Sequence, residues 1–232
     1  MTPFQDLLSG ASMSVLKPDI PVEKTNHFAT EKTVDLTSWS KAITLASLPT
    51  AAWALTLARR ISSRDIFFAE VVSGRNNSLQ NAASITGPCW QYLPFRIVLH
   101  PDWTGADLLA AVEKQHASSS AHEGMALNEI QELCNLPSLS STGWFDSVVH
   151  QAVKPVESLE VADVGGKTET VYIHEEPLQE WNIQAFFGEG EMKIEVITVE
   201  SWKEYAQELL GDITATAREL VTSPTKRIFD VA

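Results

Sequence analysis

The residues able to do chemistry are few and dispersed. Histidines stand at positions 27, 100, 116, 122, 150 and 174. None forms an HxxxH, HExxH or HxH pair, so no metal site is expected. The two cysteines, Cys89 and Cys134, form no CxxC or Cys/His pattern. Cys89 has no basic neighbour and reads as an inert thiol. His116 and His122 flank a serine cluster and read as surface residues. His150 differs because it closes the apolar run that begins at Ser147. It is either a hydrogen-bonded strand histidine or a base or substrate contact in a cleft, and it is the one catalytic candidate. Trp90, Gln91 and Tyr92 pack in the core or line a ligand channel, since pockets combine apolar walls with a few polar groups. Arg75 and Asn76 either fix their own loop by backbone hydrogen bonds or, with Ser147, touch a substrate. Glu70 lies in an apolar run and must point outward or be paired, because an unpaired buried carboxylate is costly.

These candidates cluster on a stretch from Asp65 to His100 and on the run near His150. Asp65–Val72 is almost continuously apolar, the pattern of a strand buried on both faces. Residues 73–77 break it with loop formers, and Gly87-Pro88 is a second break. A strand then runs from Pro94 to His100, with Phe95, Ile97 and Leu99 on one face. The polar loop between the strands is long enough to be functional or disordered.

The remaining elements must hold this stretch. A short helix is expected at Pro3–Leu8, an extended connector over residues 12–21, and an edge strand at Thr25–Leu36. Thr37 or Ser38 starts a helix through Leu45. A stronger one spans Pro49–Ile61, with Pro49 in the first turn and an apolar stripe through Ala52, Leu55 and Ala58. Thr104 and Asp107 make a capping-box variant for a helix to about Ser118, with Leu108, Leu109, Val112 and Gln115 inward. Leu127–Asn135 is a further helix, and Trp144–Ala152 a strand. Glu157–Val164 is weakly β, with a turn at Gly165-Gly166, and Glu169–His174 is a strand. Trp181–Phe187 and Glu191–Val199 form a hairpin across residues 188–190. Ser201 and Glu204 make a capping box for a last helix, Trp202–Val221, with Trp202, Tyr205, Leu209, Ile213, Ala217 and Leu220 on one face. Strands and helices mix without a strict βαβ repeat. The expected fold class is therefore α/β (α+β), a mixed β-sheet covered by helices, as one domain over residues 1–232.

Composition excludes several functions. Hydrophobic residues make up 44% of the 232 and charged residues 20%, with a net charge of -13. That balance opposes nucleic acid and anionic membrane surfaces, which need clustered Lys and Arg. No run of roughly 18 apolar residues predicts a membrane span. No signal peptide is visible, and two cysteines fit a reducing, cytoplasmic setting. GxGxxG, P-loop and GxSxG patterns are missing, so no nucleotide cofactor or serine-hydrolase chemistry is expected, and no cofactor at all.

Several short motifs stand together: Ala51-Ala-Trp-Ala-Leu55, Asp65, Val72-Ser-Gly-Arg-Asn76, Ile85, Gly87-Pro-Cys89 and Leu93-Pro-Phe-Arg96. Their order and spacing resemble the C-terminal half of condensation domains of fungal nonribosomal peptide synthetases. The run WFDSVVHQ, ending at Gln151, resembles the family's F-x-S-V-V-H-H-Q strand, and Phe4–Met13 its passage into the second lobe. The resemblance runs nearly end to end. It implies a chloramphenicol-acetyltransferase-like fold, in which two lobes form a V around a tunnel. Carrier-protein-bound groups enter from both ends, and Ser73–Pro88 matches the loop that floors the tunnel.

The chain also departs from that family. The active histidine of HHxxxDG or SHxxxD is missing: no HxxxD occurs in these 232 residues. Trp90 or Gln91 replaces the usual Asn after GPC, and the second histidine after His150 is missing. The resemblance implies a chain without the first lobe. One expectation is a stand-alone, half-length enzyme that closes a ring or forms another bond on a natural-product intermediate near Trp90 and His150, by holding it in a reactive geometry. A second is the C-terminal lobe of a split or excised condensation domain needing a separate HxxxD lobe. A third is a non-catalytic docking module. An isolated lobe would expose apolar surface, so a homodimer or a complementary lobe is the expected partner.

Overall fold

The computed structural model describes residues 3–23, 26–39, 44–75, 81, 84–87, 89–134, 145–152, 158–161, 164–167 and 180–229. In chain order the elements are α1 (Pro3–Leu7), β1 (His27–Asp35), α2 (Ser47–Ile61), β2 (Asp65–Val72), β3 (Gln91–Val98), α3 (Gly105–Ser120) and α4 (Leu127–Cys134). They continue with β4 (Ser147–Ala152), β5 (Ser158–Val161), β6 (Val164–Lys167), β7 (Trp181–Phe187), β8 (Glu191–Val199), a 3-10 turn (Glu200–Trp202) and α5 (Lys203–Thr222).

Six strands form one mixed sheet in the order β1-β8-β7-β4-β2-β3. β4 runs parallel to both β2 and β7, and the other neighbours are antiparallel. β5 and β6 make a separate antiparallel pair. This is the α/β fold with a mixed, helix-covered sheet that the sequence implies.

β2 explains why its sequence is apolar without alternation. Ile66 and Phe68 face a core built with α2, α3 and α5, while Phe67 and Ala69 face a second core with Phe4, Leu8, Ile130 and Val148. Phe67 and Phe68 are fully buried, each stabilising the fold by about 2–3 kcal/mol. α2 is buried from Ser47 to Ala58 on every side, beyond the single stripe expected. Its alanines at 51, 52 and 54 permit that close approach, since a helix apolar all round belongs in a core.

Residues 14–23 are strapped across the strand ends. Ser14 pairs with Phe67 through both its backbone and its hydroxyl, and Leu16 N–H donates to Asp146 Oδ2 at 3.0 Å. The indoles of Trp181 and Trp202 stack, with centroids 5.4 Å apart, and donate to the carbonyls of Leu16 and Ile20. Arg96 holds α1 by bonding the Leu7 and Ser9 carbonyls at 2.8 Å each, while its other nitrogens grip Asp65 at 2.7 and 2.8 Å.

Four local expectations change. The Ser201–Glu204 capping box is not formed: α5 starts at Lys203 after a 3-10 turn, with no side-chain cap bond. The Ser201 hydroxyl instead accepts from Glu23 N–H at 2.9 Å, so the strap claims it. Residues 37–39 and 44–46 are not helical. Asp35 Oδ1 takes the Thr37 N–H at 2.8 Å and bends the chain there. Gly165 and Gly166 lie inside β6, opposite Glu160 and Leu159, because glycine accepts extended backbone as readily as a turn. β3 begins at Gln91, before Pro94, and edge position makes that proline tolerable. The Thr104–Asp107 capping box forms as expected. The strand expected at Glu169–His174 lies outside the described residues.

Candidate functional site

A cavity of about 570 Å³ opens where β2 and β4 end against α2 and α3. Glu70, Val71, Val72 and Ser73 form one wall, and Val149 and Gln151 of β4 continue it. Leu93 and Pro94 of β3 close one side, and Thr44, Ala46 and Ser47 bring the start of α2. The rest comes from α3 and the turn after it, with Glu113, His116, Ala117, Ser119, Ser120 and Glu123. The size falls within the range of small-molecule pockets.

Glu70 and His116 are its polar centre. His116 Nε2 sits 3.0 Å from Glu70 Oε1 and 3.1 Å from Oε2, and the Thr50 hydroxyl donates to Oε1. Thr50 lies in the first turn of α2, so the helix dipole also favours the carboxylate. Glu70 is therefore buried and paired, one of the two outcomes its sequence setting allowed. Burial works against a proton on His116. The negative charges of Glu70, Glu113 and Glu123 and the hydrogen bond to Glu70 outweigh it and raise its pKa. Glu113 accepts from the Thr44 hydroxyl and from Thr44 N–H at 3.1 Å, and these bonds hold its carboxyl below the usual range.

The residues singled out in the sequence divide between the two faces of the sheet. Tyr92, Val71 and His150 occupy one register row on β3, β2 and β4, on the face away from α2. Trp90 is exposed and meets Tyr92 edge-on at 5.7 Å. His150 is half-buried, and that burial lowers its pKa. Ser147 lies on the opposite face, fully buried, where Trp53 Nε1 donates to its hydroxyl at 3.2 Å. Gln91 also alternates away from Tyr92, and its Nε2 is buried with no hydrogen-bond partner among the described residues. Arg75 donates to the carbonyls of Ile85 and Gly87 at 2.9 Å each, clamping its own loop. Gly74 completes that closure: a Cβ there would fall 2.0 Å from the Cys89 carbonyl oxygen. Asn76 lies outside the described residues. The sequence reading missed His116, which it placed on the surface. Its only signal was a spacing of one helical turn from Glu113, with the serine cluster following.

The condensation-domain family model matches residues 19–229. The chain belongs to the condensation domain family. It is 44% identical to nonribosomal peptide synthetase SIDD of Beauveria bassiana over 240 residues and 48% identical to nonribosomal peptide synthetase 1 of Ajellomyces capsulatus over 227 residues. Each match covers 97% of this chain but only 13% and 12% of the relative. Among solved structures, a CT mutant superposes with a TM-score of 0.81 at 26% identity, over 99% of this chain and 52% of that one. The starter condensation domain of rhizomide synthetase RzmA, a mutant in complex with C8-CoA and Leu-SNAC, gives a TM-score of 0.74 at 16% identity, which speaks for the fold alone. That match covers 94% of this chain and 50% of the solved domain. No described helix of this condensation-domain chain is long and apolar enough to cross a membrane.

Proposed function

We propose that this chain is the C-terminal lobe of a condensation site, which forms an amide, an ester or a ring on a carrier-protein-bound natural-product intermediate. A first lobe carrying HxxxD supplies the catalytic histidine, and this chain supplies the wall and the floor loop. The observation behind this reading is the cavity beside the closed loop of Gly74, Arg75 and Cys89. It lies among the motifs that define the family resemblance, and its mixed aliphatic and polar wall suits an acyl or aminoacyl chain. The chain spans about half the length of the solved chains it matches, the share that one lobe of two would cover.

A second reading is a stand-alone enzyme with His150 as the base and Trp90, Gln91 and Tyr92 beside the substrate. Burial favours neutral His150, the form that accepts a proton, and the strand register aligns it with Val71 and Tyr92.

The test is turnover of a carrier-bound substrate by this chain alone, by a first lobe alone, and by the two mixed. Product only in the mixture supports the two-lobe reading. Product from this chain alone, lost in His150→Ala, supports the stand-alone reading. No product in any arm, with both partners folded, removes both.

A further inference from the structure

The polar groups of the cavity wall are largely engaged with one another. His116 Nε2 bonds Glu70 at 3.0 Å, and the charges of Glu113 and Glu123 act on the same imidazole. The Thr44 hydroxyl donates to Glu113, the Ser120 hydroxyl to the Ala117 carbonyl at 2.9 Å, and the Gln151 amide to the Ala46 carbonyl. With Ser73 and Ser119, these groups make much of the wall polar. Its bonds from Thr44 keep Glu113 ionised, and among the lining residues three glutamates face one histidine, so an entering carboxylate is repelled.

Ser47 differs from these neighbours. It lies at the start of α2, lines the cavity and is fully buried, yet its hydroxyl has no hydrogen-bond partner among the described residues. A buried hydroxyl without a partner costs stability, and a ligand that brings an acceptor to it offsets that cost. The hydroxyl oxygens of Thr44 and Ser120, whose protons are already donated, can still accept. A carbonyl oxygen for the Ser47 hydroxyl and an N–H for such an oxygen are the two halves of a carboxamide, and a carboxamide carries no charge to set against the glutamates.

We propose that the cavity selects a substrate whose side chain ends in a neutral carboxamide, with its carbonyl oxygen accepting from the Ser47 hydroxyl. This rests on the reading of the cavity as a substrate chamber and names the class it prefers.

Binding is tested apart from turnover. The N-acetyl methylamides of L-glutamine, L-glutamate and L-homoleucine share one side-chain shape and differ at its end. They are titrated into the intact chain at pH 7 and followed by amide chemical shifts. The glutamine analogue is expected to bind about tenfold more tightly than either of the others. In Ser47→Ala the glutamine and homoleucine analogues should fall within about twofold of each other. Equal affinities in the wild type, no binding of any analogue, or a glutamine preference over homoleucine that survives Ser47→Ala overturns the proposal. Without ligand, Ser47→Ala should unfold at the same or a higher urea midpoint, because it loses a hydroxyl that bonds nothing in the free chain. A lower midpoint, or a variant that does not fold, would show that the hydroxyl is already bonded within the protein and overturns the proposal as well. A glutamine preference without turnover in the two-lobe mixture would sink the bond-forming reading alone. Turnover without the preference would sink this proposal alone.

Discussion

His116 Nε2 lies 3.0 Å from a Glu70 carboxylate oxygen, joining α3 to strand β2 across 46 positions of sequence. Both residues line the cavity.

Removing the imidazole strands a buried carboxylate. His116→Ala is expected to cost about 2 kcal/mol at pH 6, by urea denaturation. The cost should shrink with pH. The folded state raises the His116 pKa, so the stabilisation is complete below the unfolded value near 6.5 and is lost as pH rises through the folded value. A cost that is the same at pH 6 and pH 9 would show that charge pairing is not its source.

Asp146 titrates in a separate window. Burial pushes its carboxyl up to about 6; Leu16 N–H and Lys17 oppose that, and Glu180 reinforces it. The folded state thus prefers the protonated acid. Stability is unpenalised below about pH 3.8 and falls as pH rises from there to about 6. Asp146→Asn keeps an acceptor for Leu16 and removes the charge. It should be more stable than wild type above pH 6 by up to about 3 kcal/mol, with the gap closing toward pH 4. Denaturation curves of both proteins across that range provide the measurement.

Gly10 and Gly74 both have positive φ, at 69° and 64°, but their surroundings differ. A side chain at Gly10 meets open space, whereas one at Gly74 collides with the Cys89 backbone. Gly10→Ala should cost about 1 kcal/mol from conformation alone. Gly74→Ala should cost at least about 2 kcal/mol more and change the emission of nearby Trp90. Equal costs would mean that the loop closure contributes little.

Arg96→Lys keeps the charge but loses the forked grip on Asp65 and at least one of the carbonyls of Leu7 and Ser9. The expected loss is about 2 kcal/mol. Amide exchange at Leu8 and Ala11, whose N–H groups bond within the α1 segment, should accelerate before the sheet opens. Unchanged exchange there would separate α1 from Arg96.

Local pattern by itself determined much of this protein. The continuous apolar run of β2, the hairpin of β7 and β8, the Thr104 cap and the inner face of α5 each follow from short-range periodicity and turn chemistry. The ordered motifs carried the family, because their spacing survives without coordinates. Only the tertiary structure decided which side chains meet. His116 reaches Glu70 because α3 packs beside α2 in the core that β2 also faces, and nothing within either segment encodes that contact. Ser201 left its helix because a distant strap needed an acceptor. Ser147 and His150, three residues apart on one strand, were sent to opposite faces by the pleat. Periodicity says that one face of an element is buried. Which partner covers it, and therefore where a cavity and its charges lie, depends on the parallel pairing of β4 between β2 and β7, which joins segments far apart in the chain.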